Sequence, residues 1–303
     1  MFKFYLKKSK IVYMKKYQSY KEYIDQYMQN NIINHKNQEF NNILKDSLSE
    51  GKRLRPIIVI DICNSLNKNL DLTKIGMSIE IIHNASLILD DLPCMDNDLL
   101  RRGKPTIHAK YNQTIANLTS EYLLQLAFKN MFDCSKENKI DNKIFCYVLE
   151  NICSNIGIMG AAGGQFIDLN PSLYMFSDKN IRTEKYEELI RKKTTSLFEM
   201  CFIAGYLFSL GKMENVDKIK KCSNYFGLAF QISDDFEDIE QDKNCNKDNA
   251  SPNYVNEFGK EEAYRIYNHS IEQMIKILDE LSINSEFFKE IIDFLNKRVT
   301  DNY

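Results

Sequence analysis

The chain has 303 residues, 44% of them hydrophobic, enough for a sizeable core, and a net charge of −2 that excludes an overall field drawing it to nucleic acid. Eleven glycines and five prolines favour long uninterrupted helices over many short strands. Eight cysteines form no C-x-x-C pair and only four histidines accompany them, so reduced core cysteines are expected rather than disulfides or zinc.

Residues 1–20 carry six lysines and no acid, which reads as a basic leading tail or helix ahead of one domain over 21–303. Met14 is an alternative start. No apolar run is expected to reach membrane-spanning length, so no transmembrane segment is expected. "GKRLRP", Gly51 to Pro56, precedes the apolar run Ile57 to Ile62. It reads as a solvated turn or as a phosphate site. Residues Gly76 to Asp91 are apolar almost all round, which marks a buried helix. Pro93 disfavours helical geometry at Leu92, so the helix ends there with Asp90 and Asp91 at its mouth. Asp96 returns after a short irregular turn, and Arg101, Arg102 and Lys104 follow. His83 lies seven residues before Asp90, on nearly the same side of the helix.

The small-residue run "GAAGG", Gly160 to Gly164, allows close helix approach, and Gln165 and Asp168 follow it. In "YFGLAFQISDDFEDIEQD", residues Tyr225, Leu228, Ala229, Ile232, Phe236 and Ile239 make one helical stripe. Gly227, Gln231, Asp234 and Asp238 fall opposite. Lys- and Asn-rich patches at Asn64 to Asp71, Ser135 to Lys143 and Gln241 to Asn253 read as loops. Glu257 to Arg298 reads as amphipathic helices, and no alternating strand pattern emerges. The expected class is all-α, in a single domain.

Crowded carboxylates repel: at ~4 Å and an effective dielectric of 20, a like-charge pair costs about 4 kcal/mol. Protonation or a cation must relieve this, and all-oxygen donors suit Mg²⁺ bridging to phosphate. One acidic run alone reads as a solvated helix face. Two Asp-rich clusters, one ending a buried helix and followed by arginines, point instead to a diphosphate clamped by Mg²⁺ and Arg.

"DDLPCMD" followed by "RRGKPTIH", with "FQISDDFED" well downstream, resembles the two aspartate-rich motifs of the trans-isoprenyl diphosphate synthases. The closest flavour is the short-chain geranylgeranyl and farnesyl diphosphate synthases. "GKRLRP", "EIIHNASLILDDLPCMD", "GGQFID", "KKTTSL" and "GLAFQISDD" extend the match in order from about Gly51 to Tyr267. The resemblance implies a single large helical bundle around a central apolar cavity. It implies that Asp90, Asp96 and Asp234 ligate Mg²⁺, three ions per active site with Mn²⁺ an alternative, and that Asp91, Asp235 and Asp238 complete the acidic walls. Arg101, Lys193, Thr194 and Gln231 would contact the allylic diphosphate. Lys52, Arg55, His83 and Arg102 would bind isopentenyl diphosphate. Ionisation of the allylic diphosphate, attack by the isopentenyl double bond and proton loss to the released diphosphate would follow, with apolar helices excluding water. A cytoplasmic homodimer is also implied.

In that family the residue five before the first aspartate motif helps set product length. Here it is Ala85, with Ser86 beside it, so geranylgeranyl diphosphate (C20) is the expected product, with Tyr122 as an alternative floor of the tunnel. The chain departs from the pattern at Leu89, Glu50 and Glu121, and in a shortened loop after Asp238 where Lys243 or Lys247 would stand in for a missing Gly-Lys element. The alternatives are a farnesyl or longer-chain synthase, a class I terpene cyclase, and a non-catalytic partner subunit.

Overall fold

A computed structural model describes residues 14–32, 36–48, 50–173, 178–239 and 253–303. Lys243, Lys247 and Cys245 lie outside the described residues. The described chain is helical apart from one two-stranded hairpin, in agreement with the all-α expectation. It forms two compact units, residues 1–61 with 69–141 and residues 62–68 with 142–303.

In the first unit, α1 (Lys15–Asn31) buries Tyr17, Tyr20, Ile24 and Met28, one face of the helix. The leading segment therefore contributes packed residues: α1 runs across the boundary drawn at residue 20. Helix α2 spans Gln38–Leu48, and α3 (Leu54–Leu66) begins in this unit. Helix α4 (Thr73–Asp90) is buried on nearly every side, as its continuous apolarity predicts. It can approach α3 closely because Gly76 lacks a side chain: a Cβ there would stand 3.0 Å from Pro56 Cα. After a hairpin, β1 (Leu100–Arg101) and β2 (Lys104–Pro105), come α5 (Ile107–Lys110) and α6 (Gln113–Glu137). Helix α6 packs along α4, where Ser120 Oγ donates to the Ala85 carbonyl at 3.0 Å.

The second unit holds α7 (Asn142–Ile156), α8 (Ala161–Asp168), α9 (Lys179–Ile190), a π-helical turn (Arg191–Thr195), α10 (Ser196–Phe208) and α11 (Val216–Glu237). Helices α12 (Tyr254–Phe258), α13 (Lys260–Glu280) and α14 (Glu286–Asn302) follow. Residues 142–168 have the length and apolarity of a membrane span, which the sequence reading did not anticipate. The turn at 157–160 divides them into helices of 15 and 8 residues, each short of the ~20 that a span needs.

Helix α10 is buried all round, and α11 packs on it and on α13 and α14. Phe198 meets the Phe226 ring edge-on at 4.8 Å, and Phe202 lies 5.7 Å from Phe288. The stripe read from the sequence omits Phe226, and Gly227, read as lying opposite it, is also buried. Helix α11 has neighbours on several sides, so one stripe does not describe it. Among the described cysteines none is in a disulfide, and Cys63, Cys134, Cys201 and Cys222 are buried.

Candidate active site

The first acidic cluster is built by the end of α4. Asp91 caps the helix, its N–H donating to Leu87 O at 3.1 Å. The chain then folds back: Met95 and Asn97 N–H donate to Leu92 O, and Asp96 N–H donates to Asp90 O at 2.9 Å. Asn97 takes a left-handed conformation, φ 54°, to complete the turn. Residues six apart in sequence are thus joined at the backbone, with Asp96 exposed, Asp90 partly so and Asp91 buried.

Asp91 has a different neighbour. Arg101 Nε donates to its Oδ1 at 2.6 Å. Burial raises the Asp91 carboxyl above the usual range despite the opposing pull of Arg101. Arg102 and Gly103 form the hairpin tip with φ of 53° and 82°, the double left-handed geometry of a type I′ turn. The Arg102 guanidinium donates to the Glu50 carbonyl, and Lys104 pairs with the Glu50 carboxylate at 2.7 Å. Asp91, Arg101, Arg102, Asn84, Ile88 and Glu50 line one cleft of this unit.

Lys52 and Arg55 flank a buried residue, Arg53, at the start of α3. His83 sits among these cations. Its Nδ1 is enclosed without a hydrogen-bond partner, and burial together with Arg55 and Arg102 holds its pKa well below the ordinary 6.5. It is therefore a neutral imidazole at pH 7, with a nitrogen able to bond a ligand oxygen. Ala85 is 1% exposed on the α6-facing side of α4, and Ser86 Oγ donates to the His83 carbonyl at 2.9 Å. The Tyr122 ring packs edge-on against Phe40 at 4.9 Å.

In the second unit, Lys193 and Thr194 lie inside the π-helical turn, a feature common at functional sites. Two glycines admit it. A Cβ on Gly164 of α8 would stand 2.6 Å from Lys193 N, and one on Gly227 of α11 would stand 2.4 Å from Thr195 Oγ1. Thr194 Oγ1 donates to Gln231 Oε1 at 2.7 Å, and Gln231 Nε2 donates to Asp235 Oδ1 at 2.9 Å. Lys193 pairs with Asp168.

The three aspartates of α11 have distinct surroundings. Asp235 is buried and accepts from Tyr254 N–H at 2.8 Å, so it anchors α12 as well as Gln231. Asp234 pairs with the buried Arg298 of α14, which also holds Glu237. Asp238 caps α11, its N–H donating to Asp234 O at 3.1 Å. Sequence reasoning missed Asp168 as a partner of Lys193, and it missed Arg298. The signal for Arg298 was a lone arginine in an otherwise amphipathic helix.

Among the described residues no three His, Cys, Asp or Glu side chains converge into a metal cage. The carboxylates of Asp90 and Asp96, joined at the backbone, are all-oxygen donors of the kind that suits Mg²⁺, which keeps waters and shares phosphate oxygens with one or two carboxylates, while the Asp234 carboxylate is engaged by Arg298.

The family model for polyprenyl synthetase matches residues 37–251. The chain is 30% identical over 256 residues to the farnesyl diphosphate synthase of Bacillus subtilis, covering 82% of this chain and 84% of that protein. It is 37% identical over 193 residues to geranylgeranyl pyrophosphate synthase 3 of Arabidopsis thaliana, a chloroplastic protein, covering 63% of this chain and 53% of that one. A solved structure of the Helicobacter pylori geranyltransferase, complexed with magnesium and isoprenyl diphosphate, superposes with a TM-score of 0.75 at 26% identity, over 95% of this chain and 97% of that one. The aspartate motifs, the basic loop and the helical fold therefore have one common explanation: the chain belongs to the polyprenyl synthetase family.

Proposed function

We propose that this prenyltransferase joins isopentenyl diphosphate head-to-tail to an allylic diphosphate, releasing diphosphate and giving geranylgeranyl diphosphate as its main product. The observation that carries the reading is the end of α4, where a backbone hydrogen bond returns Asp96 to Asp90 while Arg101 is held by Asp91. A joined pair of aspartates near an anchored cation at the end of a buried helix supports an anionic, metal-bridged ligand there.

Asp90, Asp96 and Asp234 would hold Mg²⁺, three ions in all, with Mn²⁺ a substitute. The metal supplies charge neutralisation of the departing diphosphate. Arg101 and Lys193 bind the allylic diphosphate oxygens, and Thr194 and Gln231 orient the allylic end through their shared hydrogen bond. Asp91 keeps Arg101 aimed, Asp235 keeps Gln231 aimed, and Asp238 adds negative charge beside Asp234. Lys52, Arg55, Arg102 and neutral His83 receive isopentenyl diphosphate. Its double bond attacks C1 of the allylic cation through C4, and the proton lost in forming the new double bond goes to the released diphosphate. Buried apolar side chains keep water from the cation. Two copies of the chain form the working enzyme in the cytoplasm.

Ala85 supports the C20 product, because that position carries a small residue and no aromatic ring that would block a growing chain. The 30% identity to a farnesyl diphosphate synthase favours a C15 product as the second reading. Purified protein incubated with Mg²⁺, isopentenyl diphosphate and allylic diphosphates of several lengths, with products resolved by mass, decides between them. A C20 diphosphate is expected. A product stopping at C15 supports the second reading, a cyclic hydrocarbon a cyclase, and no turnover a partner subunit.

A further inference from the structure

Arg53 stands between Lys52 and Arg55 in sequence yet is only 1% exposed, and its backbone is left-handed at φ 53°. A left-handed non-glycine residue is strained and persists only where its surroundings hold it. Here every part of the guanidinium is held. Nε donates to Asp25 Oδ1 at 2.8 Å and Nη1 to Glu80 Oε1 at 3.0 Å. Nη2 donates to the Leu48 carbonyl and lies 3.6 Å from Met28 Sδ. Helix α1 adds a second hold on the same loop, with Tyr17 Oη donating to the Lys52 carbonyl at 2.6 Å.

Gly51 makes room for this arrangement. A Cβ there would stand 2.9 Å from Arg53 Nη1, 3.1 Å from Glu80 Oε1 and 3.3 Å from Arg102 Nη1. Glu80 is thus a buried carboxylate set among guanidiniums, beside a site built to receive an anion. A carboxylate there would repel the ligand, so its presence needs another reason. Arg53 is that reason: without Glu80 a buried charge loses a partner, and the loop loses the contact that keeps it left-handed. The second strained arginine, Arg102, rests on the Glu50 carbonyl, which also lies 3.5 Å from Arg53 Nη1.

We propose that Glu80 and Asp25 are positioning residues for the isopentenyl diphosphate subsite: by gripping Arg53 they fix the 50–53 loop in the shape that presents Lys52 and Arg55 to the incoming diphosphate. The inference rests on the assignment of Lys52 and Arg55 to isopentenyl diphosphate. Helix α1 is then part of the binding apparatus, although none of its side chains meets substrate.

The test compares full-length wild-type, Glu80→Gln, Asp25→Asn and Tyr17→Phe proteins, using isopentenyl diphosphate binding by calorimetry and KM for both substrates. The expected result is an affinity for isopentenyl diphosphate about tenfold weaker in Glu80→Gln and about threefold weaker in Asp25→Asn and Tyr17→Phe, with the allylic KM and kcat within about threefold of wild type. Should Glu80→Gln fail to fold, the two α1 variants, which leave Glu80 in place, carry the same comparison. Folded variants that bind isopentenyl diphosphate as wild type does, or that lose both substrates equally, overturn the inference. A wild-type enzyme that elongates allylic diphosphates while Glu80→Gln binds normally sinks this proposal alone. A wild type that neither binds isopentenyl diphosphate nor elongates removes the functional reading and this proposal together.

Discussion

Arg101 reaches Asp91 with two nitrogens at once: Nε at 2.6 Å and Nη2 at 2.5 Å, both from Oδ1. The Asp91 side chain is 5% exposed and that of Arg101 29%, so the carboxylate is the buried anchor and the guanidinium its outward-facing end. Within "DDLPCMD", Asp91 is the residue that holds this cation. Asp91→Ala leaves Arg101 with the more distant Asp98, at 3.6 Å. The expected loss is about 1–2 kcal/mol of stability, discounted for the partial exposure of Arg101. A rise of about tenfold in the allylic KM should accompany it. Urea unfolding and steady-state kinetics on one preparation check both.

The acidic residues should separate by what their loss costs. Asp90→Ala and Asp96→Ala are expected to lower kcat/KM by at least about 10²-fold, with stability within about 0.5 kcal/mol. Asp235→Ala should instead cost about 1–3 kcal/mol of stability, because the Tyr254 N–H and the Gln231 amide lose a buried acceptor. Calorimetric melting beside Mg²⁺ titrations of activity separates the two classes. An Asp235 variant as stable as wild type contradicts the assignment.

His83 gives a pH dependence whose sign follows from its surroundings. Its folded pKa lies well below the 6.5 of an unfolded histidine, because burial and then Arg55, Arg102, Arg101 and Arg53 disfavour the imidazolium. The unfolded chain therefore binds the extra proton first. Stability from this group is complete above pH 6.5 and falls as pH drops from there toward the folded value, by up to about 1.4 kcal/mol per pH unit. His83→Gln cannot titrate, so its stability should decline less than that of wild type between pH 6.5 and 5. Urea midpoints across that range check the slope.

Ala85 faces α6 with almost no exposed surface, its carbonyl bonded to Ser120. Ala85→Tyr should shorten the main product, and crowding against α6 should cost about 1–3 kcal/mol. Mass-resolved product distributions and a melting curve report the two effects separately. An unchanged distribution from a folded variant removes Ala85 as the gate.

The parts of this protein that were legible in its sequence are those written locally. Helix α4 was read as Gly76 to Asp91 and is found at Thr73–Asp90, because continuous apolarity and Pro93 are local signals. The return of Asp96 toward Asp90 follows from the same proline-ended helix. The π-helical turn at Arg191–Thr195 was not legible: "KKTTSL" contains no break, and the turn forms where Gly164 and Gly227 bring two other helices against it. The left-handed Arg53 and Arg102 were hidden for a related reason. Nothing in "GKRLRP" or "RRGK" announces positive φ at an arginine, and the partners of Arg53, Asp25 and Glu80, are 28 and 27 residues away. The packed role of Tyr17 and Tyr20 was obscured by the lysines before them, which set the composition of residues 1–20 without setting which face of α1 is buried.

The central claim is that allylic ionisation serves condensation with a second, separately bound diphosphate. Counting diphosphate released against isopentenyl diphosphate consumed tests it most directly, with allylic substrate present, with and without chelation of Mg²⁺. The account predicts one diphosphate per isopentenyl unit joined, and none of either once the metal is removed. Diphosphate released from the allylic substrate with no isopentenyl diphosphate consumed, or condensation that survives full chelation, would contradict it.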